Sequence, residues 1–220
     1  MNGTIYLGLA AALALAISSA HAQDVELLVK HTAVSNGVDG VKRSTEFSER
    51  MFRTKDSVWV SRELPGSAHS AHDHAKGGKE HKHLDVSTAS RWISRDAAGG
   101  VQMRLVPNAG DVVVNVSKVD YSNVGFDGSW VTAWNLLDPA RLKRMKTVGV
   151  AGGLTTYALT EKDRTVKVVW NATLQIPMSV ESVDKKSRHQ TLVKVIKKSP
   201  SHPWDSLQGF TQKDYSDYLD

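Results

Sequence analysis

The stretch LTTYALTEKDRTVKVVWN, residues 154–171, decides the fold. Its two halves alternate apolar and polar side chains, are rich in β-branched and aromatic residues, and flank the charged residues 161–164. Alternation with a period of two on both sides of a polar turn is typical of two antiparallel strands joined as a hairpin. We therefore predict strands at Leu154–Thr160 and Thr165–Asn171.

Similar runs follow one another along most of the chain. Turn-forming pairs such as Asn36-Gly37 and Asp39-Gly40 separate them. The sequence therefore predicts about ten strands in an antiparallel meander. The further runs are Val25–Ala33, Lys42–Arg53, Ser57–Glu63, Ala89–Ser94, Val101–Val106, Asp111–Ser117, Gln175–Asp184 and Gln190–Ile196.

Signals for helices are few and lie late in the chain. Asp138 before Pro139 is typical of an N-cap followed by proline at the first helical position, so a short helix is expected over 140–146. Thr211 and Asp214 have the spacing of a capping box, which predicts a C-terminal helix packed against the sheet.

Residues 1–22 predict a secretory signal peptide. The segment has no Lys, Arg, Asp or Glu, and its apolar stretch is too short to span a bilayer. Ala20-His21-Ala22 is the small-x-small pattern that signal peptidases recognise. We expect cleavage after Ala22, a single β-rich domain over 23–220, and a soluble periplasmic protein.

The composition excludes several classes of chemistry. The chain has no cysteine, which excludes disulfides, iron–sulfur clusters and thiol nucleophiles. No hydrolase motif of the Gly-x-Ser-x-Gly or His-Glu-x-x-His type is present, so no catalytic residue is assigned and an enzyme is not expected. The net charge of +5 indicates a solvated basic surface or contact with an acidic membrane surface; nucleic acid is not an expected partner in the envelope.

Residues 67–84, SAHSAHDHAKGGKEHKHL, hold five of the nine histidines. If Gly77-Gly78 is the loop of a hairpin, two pairs of histidines oppose each other on one face. Four imidazoles suit Zn²⁺ in tetrahedral geometry, or Cu²⁺ or Ni²⁺ in a square one, and His69 joins only if the strand bends. The metal ligands so predicted are His72, His74, His81 and His83. The alternatives are a disordered, solvated insertion that only joins two strands, although metal binding can order such a loop, and a pH-sensitive cluster.

Four tryptophans in or beside predicted strands are candidates for a second kind of site. Large aromatic side chains on a curved sheet either fill the core or line an apolar cavity. The candidates for a cavity lining are Trp59, Trp92, Trp130 and Trp170.

A resemblance to a known family connects these features. The run 147–157 (TVGVAGGLTTY), the tripeptide 168–170 (VVW) and the run 174–181 (LQIPMSVE) resemble the C-terminal half of LolA-like periplasmic proteins, which are similar to outer-membrane lipoprotein-sorting proteins. The resemblance implies a mainly β fold: a strongly curved antiparallel sheet, shaped as an open half-barrel, with a few short helices over an apolar concave cavity. The histidine-rich insertion departs from the family pattern.

Two functions follow from the sequence. The first is a non-enzymatic periplasmic binding protein with a transition-metal site on the histidine-rich loop. The alternative, which the resemblance implies, is a carrier of lipoprotein or another apolar ligand in the concave cavity of the sheet.

Overall fold

The computed structural model describes residues 24–37, 39–64, 84–197 and 201–219. Within these residues, twelve β-strands form one sheet. The strands are β1 (Val25–Asn36), β2 (Lys42–Arg53), β3 (Ser57–Glu63), β4 (Ser90–Arg95), β5 (Val101–Val106), β6 (Val112–Val116), β7 (Lys146–Ala151), β8 (Leu154–Glu161), β9 (Arg164–Asn171), β10 (Ile176–Val183), β11 (Ser187–Lys197) and β12 (Thr211–Asp214).

Most neighbouring strands in the sheet are also neighbours in the sequence. The order is β12-β6-β5-β4-β3-β2-β1-β11-β10-β9-β8-β7, and β1 joins the two halves of the meander by pairing with both β2 and β11. The pairs are antiparallel apart from β12, which runs parallel to β6. The sheet is curved and stays open between its edge strands β7 and β12. The predicted fold class is confirmed.

Short helical segments connect and flank the strands. The segments are a 3-10 helix at Lys118–Val124, the helix α1 at Trp130–Asn135, and 3-10 helices at Pro139–Arg144, Pro203–Leu207 and Tyr215–Tyr218. The Ser129 side chain caps α1 by accepting a hydrogen bond from the Thr132 backbone N–H at 3.1 Å. Leu136 ends this helix in the left-handed region, at φ 62°.

The hydrophobic core lies on one face of the sheet, which we call the inner face. It carries Leu27, Met51 and Leu105, whose exposed fraction is 0%. Residues 118–145, which we call the cap, contain the first three helical segments and cover this face with side chains such as Tyr121. Each Å² of buried apolar surface contributes about 25 cal/mol, so this contact helps to hold the cap on the inner face.

The opposite face, which we call the outer face, carries a second apolar cluster around Trp59 and Val113. The segment 201–210 packs against it, and the Trp204 ring is stacked on that of Trp92 with 6.1 Å between centroids. The part of the sheet that carries Trp59 and Val113 is therefore covered on both faces.

The helical predictions hold only in part. The short helix expected after Asp138 is present, with Asp138 as its N-cap and Pro139 at its start, but it is a 3-10 helix that ends at Arg144, and β7 begins at Lys146. Residues 211–214 form β12 because their backbone pairs with β6, and the capping box is the one between Asp214 and Asp217. The segment 118–135 contains two helical segments that the sequence pattern did not predict.

No helix among the described residues is long and apolar enough to cross a membrane. The predicted signal peptide, residues 1–22, lies outside the described residues. The signal peptide and the single domain over 23–220 therefore stay predictions.

Candidate functional site

The guanidinium of Arg53 joins the sheet to the cap. Arg53 ends β2, shares the inner face with Met51 and is only 2% exposed. Its terminal nitrogens donate hydrogen bonds to the backbone carbonyl oxygens of Trp134, at 3.0 Å, and Leu174, at 2.7 Å. Its central carbon lies 3.7 Å from the centroid of the Trp134 ring. One side chain thus contacts β2, the cap and the turn that precedes β10.

This guanidinium is a buried charge without a carboxylate partner in the described part of the chain. Burial lowers the pKa of Arg53 to about 10, because water is removed from the cation and no anion takes its place. Its Nε atom also has no hydrogen-bond partner among the described residues. Such a shift corresponds to a cost of roughly 3 kcal/mol, which the two hydrogen bonds and the contact with the Trp134 ring offset.

The cap is built from segments that have little stability of their own. Helix α1 has six residues, and the helical segments beside it are 3-10 helices of seven and six residues. Helices of this length do not persist in water without tertiary contacts. The cap is therefore held by its apolar side chains, by Arg53, and by the indole N–H of Trp134, which donates to the Thr54 carbonyl at 2.8 Å.

A cavity of about 530 Å³ lies at one edge of the cap. Its walls combine polar and apolar groups, including Val101, Lys118, Tyr121 and Phe126. The Tyr121 hydroxyl donates to the Val101 carbonyl at 2.9 Å, and burial raises the pKa of Tyr121. The apolar part of the inner face is filled by the cap itself, so a long apolar ligand reaches it only if the cap moves.

A charged zone adjoins the apolar part of the inner face. We define it as His31, Glu49, Arg62 and Arg91. Glu49 lies 2.7 Å from the Arg91 guanidinium and 3.3 Å from His31 Nε2. Burial raises the pKa of Glu49, but the contact with His31 and the charges of Arg91 and Arg62 outweigh it and hold the pKa below its usual value.

The tryptophans selected from the sequence divide between the two faces. Trp59 and Trp92 lie in the outer-face cluster, whereas Trp130 packs on the inner face from the cap and Trp170 lies on the inner side of β9. The structure thus brings Trp130 and Trp170 to the face that the cap covers. It places Trp59 and Trp92 on the opposite face of the sheet.

The histidines selected as metal ligands, His69, His72, His74, His81 and His83, lie outside the described residues. Within the ranges that the structure does describe, no group of three or more His, Cys, Asp or Glu side chains is arranged to hold a metal ion.

The sequence interpretation missed Arg53 and the charged zone. Both had a signal, because the alternation that puts Met51 on the inner face also puts Glu49 and Arg53 there. The sequence signal for both is a charged residue at a position that the strand alternation turns toward the core.

Comparisons with known proteins give similarity in structure alone. No family model matches the chain, and no curated protein matches it. The structure of PNGF-II is 13% identical with a TM-score of 0.40, and the match covers 88% of this chain and 32% of that one. A LolA superfamily protein from Nitrosomonas europaea is 8% identical with a TM-score of 0.38, over 86% of this chain and 90% of the other. An outer membrane lipoprotein-sorting protein domain from Vibrio parahaemolyticus is 9% identical with a TM-score of 0.33, over 84% and 92%.

The chain thus spans about a third of PNGF-II, and nearly the whole of the LolA superfamily protein. The resemblance to LolA-like proteins stated from the sequence is also found among the solved structures.

Proposed function

We propose that the protein is an exported, non-enzymatic carrier that holds an apolar chain between the inner face of its sheet and the cap. The observation that carries the proposal is the buried Arg53 guanidinium, which ties short helical segments to the largest hydrophobic cluster of the described chain. Export rests on the predicted signal peptide, and the non-enzymatic role rests on the lack of a catalytic motif in the sequence.

Displacement of the cap uncovers an apolar surface that an acyl chain fits. The cap contributes Tyr121, Val124, Phe126 and Trp134 to the core, and an acyl chain replaces these contacts when the cap moves aside. Each buried methylene contributes about 0.8 kcal/mol, so a chain of about twelve carbons gains roughly 10 kcal/mol. That gain acts against the loss of the cap's own apolar contacts. A lipid or the acyl chains of a lipoprotein supply such a ligand.

The division of the tryptophans gives a test of where an apolar chain binds. We expect 11-bromoundecanol, whose bromine quenches indole fluorescence on contact, to quench part of the emission of the purified mature protein in a saturable manner. The Trp130→Phe variant should lose a clear share of the quenchable emission, because Trp130 lies on the inner face. Trp92→Phe is the matched control, since Trp92 lies on the outer face. Equal loss in both variants, or quenching that does not saturate, would contradict the proposal.

The histidine-rich segment supports a second candidate function, the binding of a transition metal. The supporting observation is the spacing of His72, His74, His81 and His83 around Gly77-Gly78. Neutral imidazoles bind Zn²⁺, Cu²⁺ and Ni²⁺. These histidines are not part of the cap segment in the sequence, so the two proposed functions use different residues.

Titration calorimetry with Zn²⁺, Cu²⁺ and Ni²⁺ tests the metal site. We expect one ion per chain, and we expect a variant with all four histidines changed to alanine to bind at least about tenfold more weakly. Removal of the metal with a chelator should restore the starting signal. Replacement of His189 and His202 by alanine is the control, because these histidines lie elsewhere in the fold. Equal weak binding by the quadruple variant and the wild-type protein would remove this function.

A further inference from the structure

The inner face changes from apolar to ionisable side chains along four strands. On β1 the inward-facing residue after the buried Val29 is His31. Along the other three strands the apolar residue is followed, two positions away, by an arginine or a glutamate. These steps are Met51 to Glu49 on β2, Val60 to Arg62 on β3, and Ile93 to Arg91 on β4.

The two zones are close enough for one ligand to touch both. Inward-facing neighbours on a strand are about 7 Å apart, which is the length of a few methylene groups. The side chains of His31 and Arg91 are about a third exposed, at 29% and 33%. A ligand whose chain lies under the cap therefore has its end within reach of the charged zone.

The charged zone has more cations than anions. Arg62 and Arg91 are permanently charged, and Glu49 is the one carboxylate in the zone as defined. Arg91 uses that carboxylate in its ion pair. Arg62 forms no ion pair with any described residue and lies over the Phe47 ring, 4.5 Å from its centroid. At least one positive charge is therefore left for a ligand.

Aromatic stacking and a hydrogen bond hold this part of the face in place. The Phe47 ring contacts Arg62 and is also stacked with His31 at 4.7 Å between centroids. His31 Nδ1 is 3.2 Å from the Thr191 hydroxyl on β11. The unused charge thus sits on strands of a rigid sheet, which favours recognition of a fixed group over loose ion exchange.

We propose that the charged zone binds the anionic headgroup of an amphiphile whose apolar chain lies under the cap. This inference rests on the proposed carrier function and adds the chemical class of the ligand to it. A guanidinium is suited to phosphate and carboxylate because its N–H groups match the spacing of their oxygens. The preferred ligand is therefore an acyl chain with a phosphate or carboxylate head.

Binding of dodecyl phosphate, dodecanol and inorganic phosphate to the full mature chain tests the inference. All are measured below the micelle concentration of dodecyl phosphate, by displacement of a neutral dye such as Nile red and by calorimetry. We expect dodecyl phosphate to bind about tenfold more tightly than dodecanol, with a preference that falls as salt is raised. Inorganic phosphate at the same concentrations should neither bind nor compete, because it lacks the chain.

Two variants with opposite expected effects distinguish the effect of a changed charge from general damage to the fold. Arg62→Gln should reduce the preference for dodecyl phosphate about fivefold and leave dodecanol binding unchanged. Glu49→Gln should strengthen dodecyl phosphate binding, because it removes the competing carboxylate. Lys30→Gln is the matched control: Lys30 is next to His31 in sequence, faces the outer side and pairs with Glu46, so its loss should leave the preference unchanged.

The outcomes separate this inference from the proposed function. Equal binding of dodecyl phosphate and dodecanol, or a preference that Arg62→Gln and Lys30→Gln change alike, overturns the headgroup site and leaves the carrier function standing. If inorganic phosphate binds with the same affinity as dodecyl phosphate, the charged zone binds a free anion, and the proposed amphiphile is wrong. Failure of both dodecanol and dodecyl phosphate to displace the dye contradicts the carrier function itself.

Discussion

Replacement of Leu105 by alanine is expected to lower the free energy of unfolding by about 3 kcal/mol. Leu105 lies on β5, is 0% exposed and belongs to the main core cluster of the inner face, which strand and cap side chains form together. The variant loses the transfer free energy of the removed carbons and leaves a cavity that the surrounding sheet fills only in part. Urea denaturation followed by circular dichroism measures the change, with the slope of the transition checked for constancy.

Leu192→Ala is the matched control for this substitution. Leu192 is also a strand leucine, but it lies on β11 and is 43% exposed, so its truncation should cost less than about 1 kcal/mol. If both variants lost the same amount, the cap would not be packed tightly on the inner face. The proposal that the cap must be displaced by a ligand would then lose its physical basis.

The strands could be predicted from the sequence because alternation is a local signal. The hairpin at 154–171 is found as strands β8 and β9, and β2 and β3 match the predicted runs residue for residue. The edge strands β7 and β12 could not be predicted in the same way. Val148 and Val150 of β7 are exposed, and β12 exists because its backbone pairs with β6, far away in the sequence.

The site was harder to predict than the fold, because its parts come from distant segments. Arg53 has the parity of the core in β2, but its hydrogen-bond partners are backbone carbonyls of Trp134 and Leu174, which carry no signal in the sequence. The charged zone depends on the register between β1, β2, β3 and β4. Residue patterns alone led to the histidine-rich segment as the predicted site, and its histidines lie outside the described residues.

Replacement of Arg53 by methionine is expected to lower the free energy needed to open the cap by about 2 kcal/mol. The variant loses two charge-assisted hydrogen bonds of about 1.5 to 3 kcal/mol each and a cation–π contact of about 1 kcal/mol. Relief of the roughly 3 kcal/mol cost of burying the charge and the apolar burial of methionine offset part of this loss. Hydrogen exchange measured by mass spectrometry should show amides of α1 exchanging about 30-fold faster.

Arg95→Met is the matched control for the loosened cap. The Arg95 guanidinium also lies over a cap tryptophan, 4.8 Å from the centroid of the Trp130 ring, but it is more exposed and donates no hydrogen bond to the cap backbone. Its loss should change the exchange of α1 by less than about threefold. Unchanged exchange in Arg53→Met would show that the apolar contacts alone hold the cap.

The loosened cap also predicts tighter binding of an apolar ligand. A ligand that binds only the open form has an apparent affinity reduced by the fraction of open molecules, so a 30-fold rise in that fraction strengthens dodecanol binding by up to about 30-fold. Because dodecanol is neutral, this gain comes from the cap and not from the charged zone. If Arg53→Met accelerated exchange but left dodecanol binding unchanged, the ligand would bind elsewhere, and the contact between Arg53 and the cap would be a structural tie without a role in ligand entry.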